Sequence, residues 1–223
     1  RSDKVLFASE IKAILAHPGV ERDVDPVAMF HYLSFLTTPA PSHIIAVAWA
    51  REACGGNGIV LDGISVRRSL INGIGVTHCS GRISNCTITR ASQTGIASVD
   101  ARGLEISHNA VSDCGNNGIR VWRSEPGEDG TIVASNRIER IQARAGGSGE
   151  NGNGINAFRA GNVLVSGNRI TDCAYSAIRG NAASNIQMIG NSCARIGEVA
   201  LYAEFDFEGA LIANNLVDGA ASG

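Results

Sequence analysis

From Leu61 onward, apolar residues return in a fixed order at steps far longer than the period of a helix or a strand. Val66, Ile88, Val111, Ile138, Ile170, Cys193 and Val217 define one column, separated by 22, 23, 27, 32, 23 and 24 residues. Five positions before each stand Leu61, Ile83, Ile106, Val133, Val165, Met188 and Ile212, all apolar. A third apolar column, usually eight residues after the first, holds Ile74, Ile96, Ile119, Ile155, Ile178 and Leu201, each preceded by Gly or Ala. Short runs of β-branched residues broken by Gly and Asn are strands joined by tight turns, and a repeat of this length is a coil that buries its apolar side only against its neighbours. Neither the Leu frame of a leucine-rich repeat nor the three-and-four spacing of helical repeats is present. The pattern predicts an all-β, right-handed parallel β-helix of about seven coils over residues 57–223. With a rise of about 4.8 Å per coil, the rod is about 34 Å long.

One polar column runs through this apolar frame. Two positions before the first column, Ile64 and Cys86 give way to an unbroken Asn109, Asn136, Asn168, Asn191 and Asn215. Asn tolerates left-handed backbone at a turn, and stacked Asn side chains can bond to one another and to the main chain along the rod. The column therefore reads as structural.

The first 43 residues have a different character. They contain both lysines (Lys4 and Lys12), four of the five prolines, one of the 27 glycines and no asparagine. Residues 8–17 read as a short amphipathic helix stopped by Pro18-Gly19, and Asp25-Pro26 opens a second helix that ends before Pro39. The runs Val5-Leu-Phe-Ala-Ser-Glu-Ile-Lys-Ala-Ile-Leu-Ala-His-Pro-Gly and Val24-Asp-Pro through Tyr32-Leu-Ser-Phe to Pro39-Ala-Pro resemble a stretch of glutamine-hydrolysing asparagine synthetases. In that family the stretch closes the glutaminase domain. Its nucleophilic Cys and its Ser-Gly-Gly-x-Asp-Ser loop are both missing here, so the resemblance carries over no catalytic residue. The expected organisation is a helical, synthetase-like fragment over 1–43, a junction over 44–56, and the β-helix over 57–223. Two short helices have no core of their own but could cover the edge of the first coil.

Composition narrows the chemistry. With 44% hydrophobic and 18% charged residues the chain supports a buried core, and a net charge of −2 gives no expectation of nucleic acid. The longest apolar stretch, residues 44–50, is too short for a membrane span. The six cysteines contain no Cys-x-x-Cys pair, and Cys114 and Cys173 share a column two coils apart, beyond disulfide reach, so they read as core residues with no metal. Gly56-Asn-Gly58, Gly73-Ile-Gly75 and Gly152-Asn-Gly154 lack the third glycine and following helix of a dinucleotide loop, so no cofactor is expected. A single Gly146-Gly-Ser-Gly-Glu150 is likewise no calcium-binding array.

Three runs carry a second resemblance. Gly118-Ile-Arg-Val-Trp-Arg-Ser-Glu-Pro-Gly-Glu-Asp-Gly-Thr-Ile-Val, Ala143-Arg-Ala-Gly-Gly-Ser-Gly-Glu-Asn-Gly-Asn and Glu198-Val-Ala-Leu-Tyr-Ala-Glu-Phe-Asp-Phe-Glu-Gly-Ala are similar to bacterial twin-arginine-translocated β-helix repeat proteins of uncharacterised function. Membership implies a periplasmic or extracellular protein. The twin-arginine signal is absent from this sequence, and Arg67-Arg68 falls inside a coil.

The candidate site follows from strand alternation. If Ile119 and Val121 point inward, Arg120 and Trp122 point to solvent, and the same parity exposes Asn156 and Phe158, Arg179 and Asn181, and Tyr202 and Glu204 on successive coils. Rings stack on sugar faces and Arg binds carboxylates through paired hydrogen bonds, so this face suits an acidic polysaccharide. The two longest interruptions of the repeat, residues 124–130 and 143–153, read as loops that bracket it. Glu125, Glu128, Asp129 and Glu150, with Arg120, Arg123, Arg159 and Arg179, permit lyase, epimerase or hydrolase chemistry without assigning a catalytic residue. His78 and His108 share no centre with them. Two other readings stay open: an adhesion rod whose partner is an envelope protein, and a non-functional synthetase fragment fused to a β-helix.

Overall fold

The computed structural model describes residues 58–222; the expected helical segment and the junction that follows it lie outside them. Twenty strands form three parallel sheets of seven, seven and six strands, and each sheet takes every third strand in sequence order. One coil therefore gives one strand to each sheet. The first sheet aligns Leu61, Ile83, Ile106, Val133, Val165, Met188 and Ile212 as neighbours. The second aligns the Val66 column through Val217. The third aligns Ile74, Ile96, Ile119, Ile155, Ile178 and Leu201. All three apolar columns read from the sequence are thus rows in space.

The rows make one continuous core. Ile83, Ile88, Ile106, Ile119, Ile138, Ile155, Ile170 and Ile178 are fully buried, and each such side chain contributes about 1.5–3 kcal/mol. In the last described coil Ile212 and Val217 keep the inward register but are 46% and 43% exposed, because no described strand stacks on them. Cys86, Cys114, Cys173 and Cys193 are free and buried, as expected of core residues, and Cys79 is buried with them. Burial pushes the Cys114 thiol up to about 12 and that of Cys193 to about 11. Among the described residues no helix is long and apolar enough to cross a membrane.

The corner between the first two sheets carries the asparagine ladder, with one change to the expectation. The left-handed residue is the one before each Asn: His108, Ser135, Gly167, Gly190 and Asn214 have φ between 56° and 65°, whereas Asn109, Asn136, Asn168 and Asn191 do not. The kink interrupts the backbone ladder, and the following side chain takes over its bonds. Asn168 Oδ1 accepts from the Asn136 main-chain N–H (2.9 Å) and from Asn136 Nδ2 (3.0 Å), while Asn168 Nδ2 donates to the Val133 carbonyl (2.9 Å) and to Asn191 Oδ1 (3.0 Å). The same scheme runs from Asn109 to Asn215, and the Cys86 N–H donates to Asn109 Oδ1 at its start.

A second left-handed position, within or just after the strands of the second sheet, is charged. Arg68, Arg90, Asp113, Arg140, Asp172 and Arg195 occupy it on successive coils, which places Arg68 at a turn of the rod. Arg140 grips Asp113 from the next coil with two bonds of 2.8 and 2.9 Å, and Arg195 grips Asp172 with two of 2.7 Å. These guanidinium bonds hold both carboxyls below the ordinary Asp value of 3.8. Folded-state lowering gives stability that is present above 3.8 and lost as pH falls through the lowered values. Asp129 opposes them: burial raises its carboxyl above 3.8, so its ionisation costs stability as pH rises through that raised value. Thermal melts are expected to fall below about pH 4, and Asp129→Asn is expected to raise the melting point at neutral pH but not in acid. Equal melting of the native protein at neutral pH and at about pH 3 would contradict this assignment.

Candidate functional site: a roofed groove on the third sheet

Strand alternation sets the face of the third sheet. Ile119 and Val121 in Asn117–Glu128, and Ile155 and Ala157 in Asn153–Gly161, are fully buried toward the core. Residues between them point the other way, and parallel register stacks them into two rows. One row runs Arg120, Asn156, Arg179, Tyr202; the other runs Trp122, Phe158, Asn181, Glu204. All eight residues expected from the sequence thus share one face.

Part of that face is covered, whereas the sequence places all of it in solvent: Arg120, Trp122, Phe158, Asn181 and Tyr202 are partly exposed. Asn156, Arg179 and Glu204 are only 3%, 7% and 6% exposed. The insertion at 143–152 folds over them and is fastened by side chains of the strands below. The Glu150 carbonyl accepts from Asn117 Nδ2 (3.2 Å) and Asn156 Nδ2 (3.0 Å), and the Gly149 carbonyl accepts from Asn153 Nδ2 (2.7 Å). The Tyr175 hydroxyl donates to the Gly147 carbonyl at 3.0 Å. Gly149, at φ +125°, lies against Arg179 so closely that a Cβ there would overlap the guanidinium. The result is a groove of about 380 Å³ lined by Trp122, Asn156, Phe158, Arg179, Asn181, Tyr202 and Glu204, with Arg120 outside the lining.

Rings and guanidiniums alternate across this surface. Trp122 and Phe158 lie 5.3 Å apart at 57° on adjacent coils. Arg120 sits 4.2 Å above the Trp122 ring, Arg159 4.8 Å above Phe158, and Arg179 5.3 Å from Tyr202. Arg120 is half-buried and has no acidic partner among the described residues; burial lowers its pKa by disfavouring the charge, and its Nε finds no acceptor. Arg179 differs from the expectation of a free cation. Its Nε donates to Glu204 Oε1 at 2.5 Å, and its Nη1 lies 3.5 Å from Glu198 Oε2. Asn181 Nδ2 adds a bond to Glu204 Oε1 at 2.9 Å.

The second interruption is no loop. Asn117–Glu128 continues as strand through residues 124–128, pairing Gly127 with Ala160 and Glu128 with Gly161 after an irregularity at Phe158/Ala160. This carries its acids away from the groove: Glu125 is exposed, Glu128 bonds Asn162, and Asp129 is buried against Thr131 and Arg123. Arg123 is committed there as well, donating to the Ala101 carbonyl. Of Glu125, Glu128, Asp129 and Glu150, it is Glu150 that lines the groove, beside Glu204 of the strand face.

Glu198 and Phe205 also line it and were not expected. Glu198 stands near the end of Ser192–Val199, at the corner leading to the third sheet, where strand alternation no longer says which way a side chain points. The available signal was spacing: Ser176, one coil earlier, donates its hydroxyl to Glu198 Oε2 at 3.1 Å. Among the described residues no group of three or more His, Cys, Asp or Glu side chains is placed to hold a metal ion.

Residues 72–223 match the family described as the right-handed β-helix region. The chain belongs to that family. Two solved structures share the fold of this β-helix protein. The enzymatically active domain of tailspike protein 2 from bacteriophage CBA120 is 14% identical with a TM-score of 0.55 over 70% of the chain. The periplasmic alginate epimerase AlgG is 17% identical with a TM-score of 0.51 over 71% of the chain. The chain spans 23% and 43% of these two proteins, and at such identities the likeness is one of fold. No curated protein matches the sequence.

Proposed function

We propose that the roofed groove binds an acidic polysaccharide laid along the rod axis, and that the protein works in the periplasm or outside the cell. The observation that carries this reading is the Trp122–Phe158 platform capped by Arg120 and Arg159. Two rings on adjacent coils, tilted 57° to one another, offer apolar area to sugar faces. Arg120 lies beside the groove over the Trp122 ring, half-buried without an acid among the described residues, so a carboxylate of a polymer that runs past Trp122 gains a partner there. An alginate epimerase among the similar folds acts on an acidic polysaccharide, which is in keeping with that ligand class.

Affinity electrophoresis in gels containing alginate, polygalacturonate or neutral dextran tests the reading. Retardation is expected with an acidic polymer and not with dextran. Trp122→Ala and Arg120→Gln are each expected to weaken it about tenfold, the equivalent of about 1.4 kcal/mol. Equal retardation of native and variant proteins, or none of the native protein in either acidic gel, removes the proposal.

A further inference from the structure

The groove holds more acid than binding an anionic sugar requires. Glu204 and Glu198 come from different strands and converge on one guanidinium, that of Arg179. A structural ion pair is complete with one carboxylate. Here the second stands 3.5 Å off, with 28% of its side chain exposed on the groove, while the buried Arg179 Nη1 finds no acceptor at hydrogen-bond distance. An arginine only 7% exposed, with an unfilled donor and between two acids that share the groove lining with the aromatic pair, is arranged for something that enters the groove.

We propose that the groove hydrolyses the glycosidic bond of the polysaccharide it binds, with Glu204 as the base for water and Glu198 as the acid for the leaving oxygen. The inference rests on the reading of the groove as a polysaccharide site. Geometry divides the roles. Glu204 Oε1 accepts from both Arg179 and Asn181, which fixes the carboxylate and leaves Oε2 without a hydrogen bond. Glu198 is held through Oε2 by Ser176, and its Oε1 makes no bond. In the reaction Glu198 gives its proton to the glycosidic oxygen as the bond from that oxygen to the anomeric carbon breaks. Water bonds to the carbon, and its proton passes to Glu204. One water is consumed, one reducing end and one hydroxyl end are released, and solvent exchange returns the proton to Glu198. Elimination or epimerisation of a uronate needs a free cation to neutralise its carboxylate beside the base. The charge of the cation beside these acids, Arg179, is already balanced by them, with Glu204 at 2.5 Å and Glu198 at 3.5 Å.

The native protein is incubated with alginate, polygalacturonate and xanthan while new reducing ends, ultraviolet absorbance from unsaturated ends, and gel retardation are followed together. Reducing ends without ultraviolet absorbance are expected. Glu198→Gln and Glu204→Gln are each expected to lower the rate about a hundredfold or more. Because the Glu198 side chain is partly exposed, Glu198→Gln stands in if loss of the buried Glu204 carboxylate unfolds the protein. Retardation without reducing ends overturns hydrolysis and leaves the binding reading intact. Unsaturated ends overturn it in favour of elimination. Absence of both retardation and cleavage on all three polymers overturns both readings.

Discussion

Replacing Asn168 with Leu is expected to destabilise the rod by about 3 kcal/mol or more, whereas Gln187→Leu, an exposed change on the next coil, stays within about 0.5 kcal/mol. Asn168 is fully buried, and its side chain serves two coils at once. Leu fills the space but removes the acceptor for the Asn136 main-chain N–H and for one Asn136 Nδ2 hydrogen, and the donor to Val133 and Asn191. Each stranded buried group costs about 1–3 kcal/mol, and water has no route to it. Because neighbouring coils carry most of each other's stability, the loss spreads from the middle of the ladder in both directions. Thermal unfolding should shift by on the order of 10 °C for a unit of this size. A melting point within a degree or so of the native value would mean that the Asn column bears no load.

The ladder also shows how far a pattern of residues reaches. A parallel solenoid maps sequence offset onto stacking with little distortion, so every column separated by about one coil becomes a row, and Ile119, Ile155 and Ile178 fall where spacing places them. Strand alternation likewise brings Trp122, Phe158, Asn181 and Glu204 to one face. Two things escape such reasoning. Insertions have no partner in the repeat, so nothing in the sequence says that residues 143–152 fold back as a roof while residues 124–128 extend a strand. Corners have no alternation, so Glu198 was not placed, and Arg179 passed for a free cation. The left-handed slot was off by one residue because two roles, kinking the chain and repairing the kink, were assigned to a single Asn.

The glycine that precedes the third apolar column in four coils, Gly73, Gly95, Gly118 and Gly154, is the remaining column, and it sets the second large effect. Gly118→Val is expected to cost about 3 kcal/mol and to abolish retardation by acidic polysaccharide. A Cβ at Gly118 falls 2.5 Å from the Gly154 carbonyl oxygen of the next coil and 2.6 Å from Ile138 Cγ2, both far inside contact distance. The backbone there is not left-handed, so the demand is for room rather than for φ freedom. Gly73, Gly95 and Gly154 meet the same obstacles, a carbonyl of the next coil and the branched methyl of a second-sheet residue. Ala177 ends the run, showing that one methyl is tolerated once the following coil is set for it. Valine offers no such adjustment: it either pushes the Asn153–Gly161 strand away or forces Ile138 from its rotamer, and the first outcome separates Trp122 from Phe158. Gly103→Ala is the control, since Gly103 has φ +62° and nothing within 4 Å of an added Cβ, and its cost of about 1–2 kcal/mol reflects backbone strain alone. If Gly118→Val costs no more than Gly103→Ala and retardation survives, the tight approach of coils beneath the groove is not what shapes it.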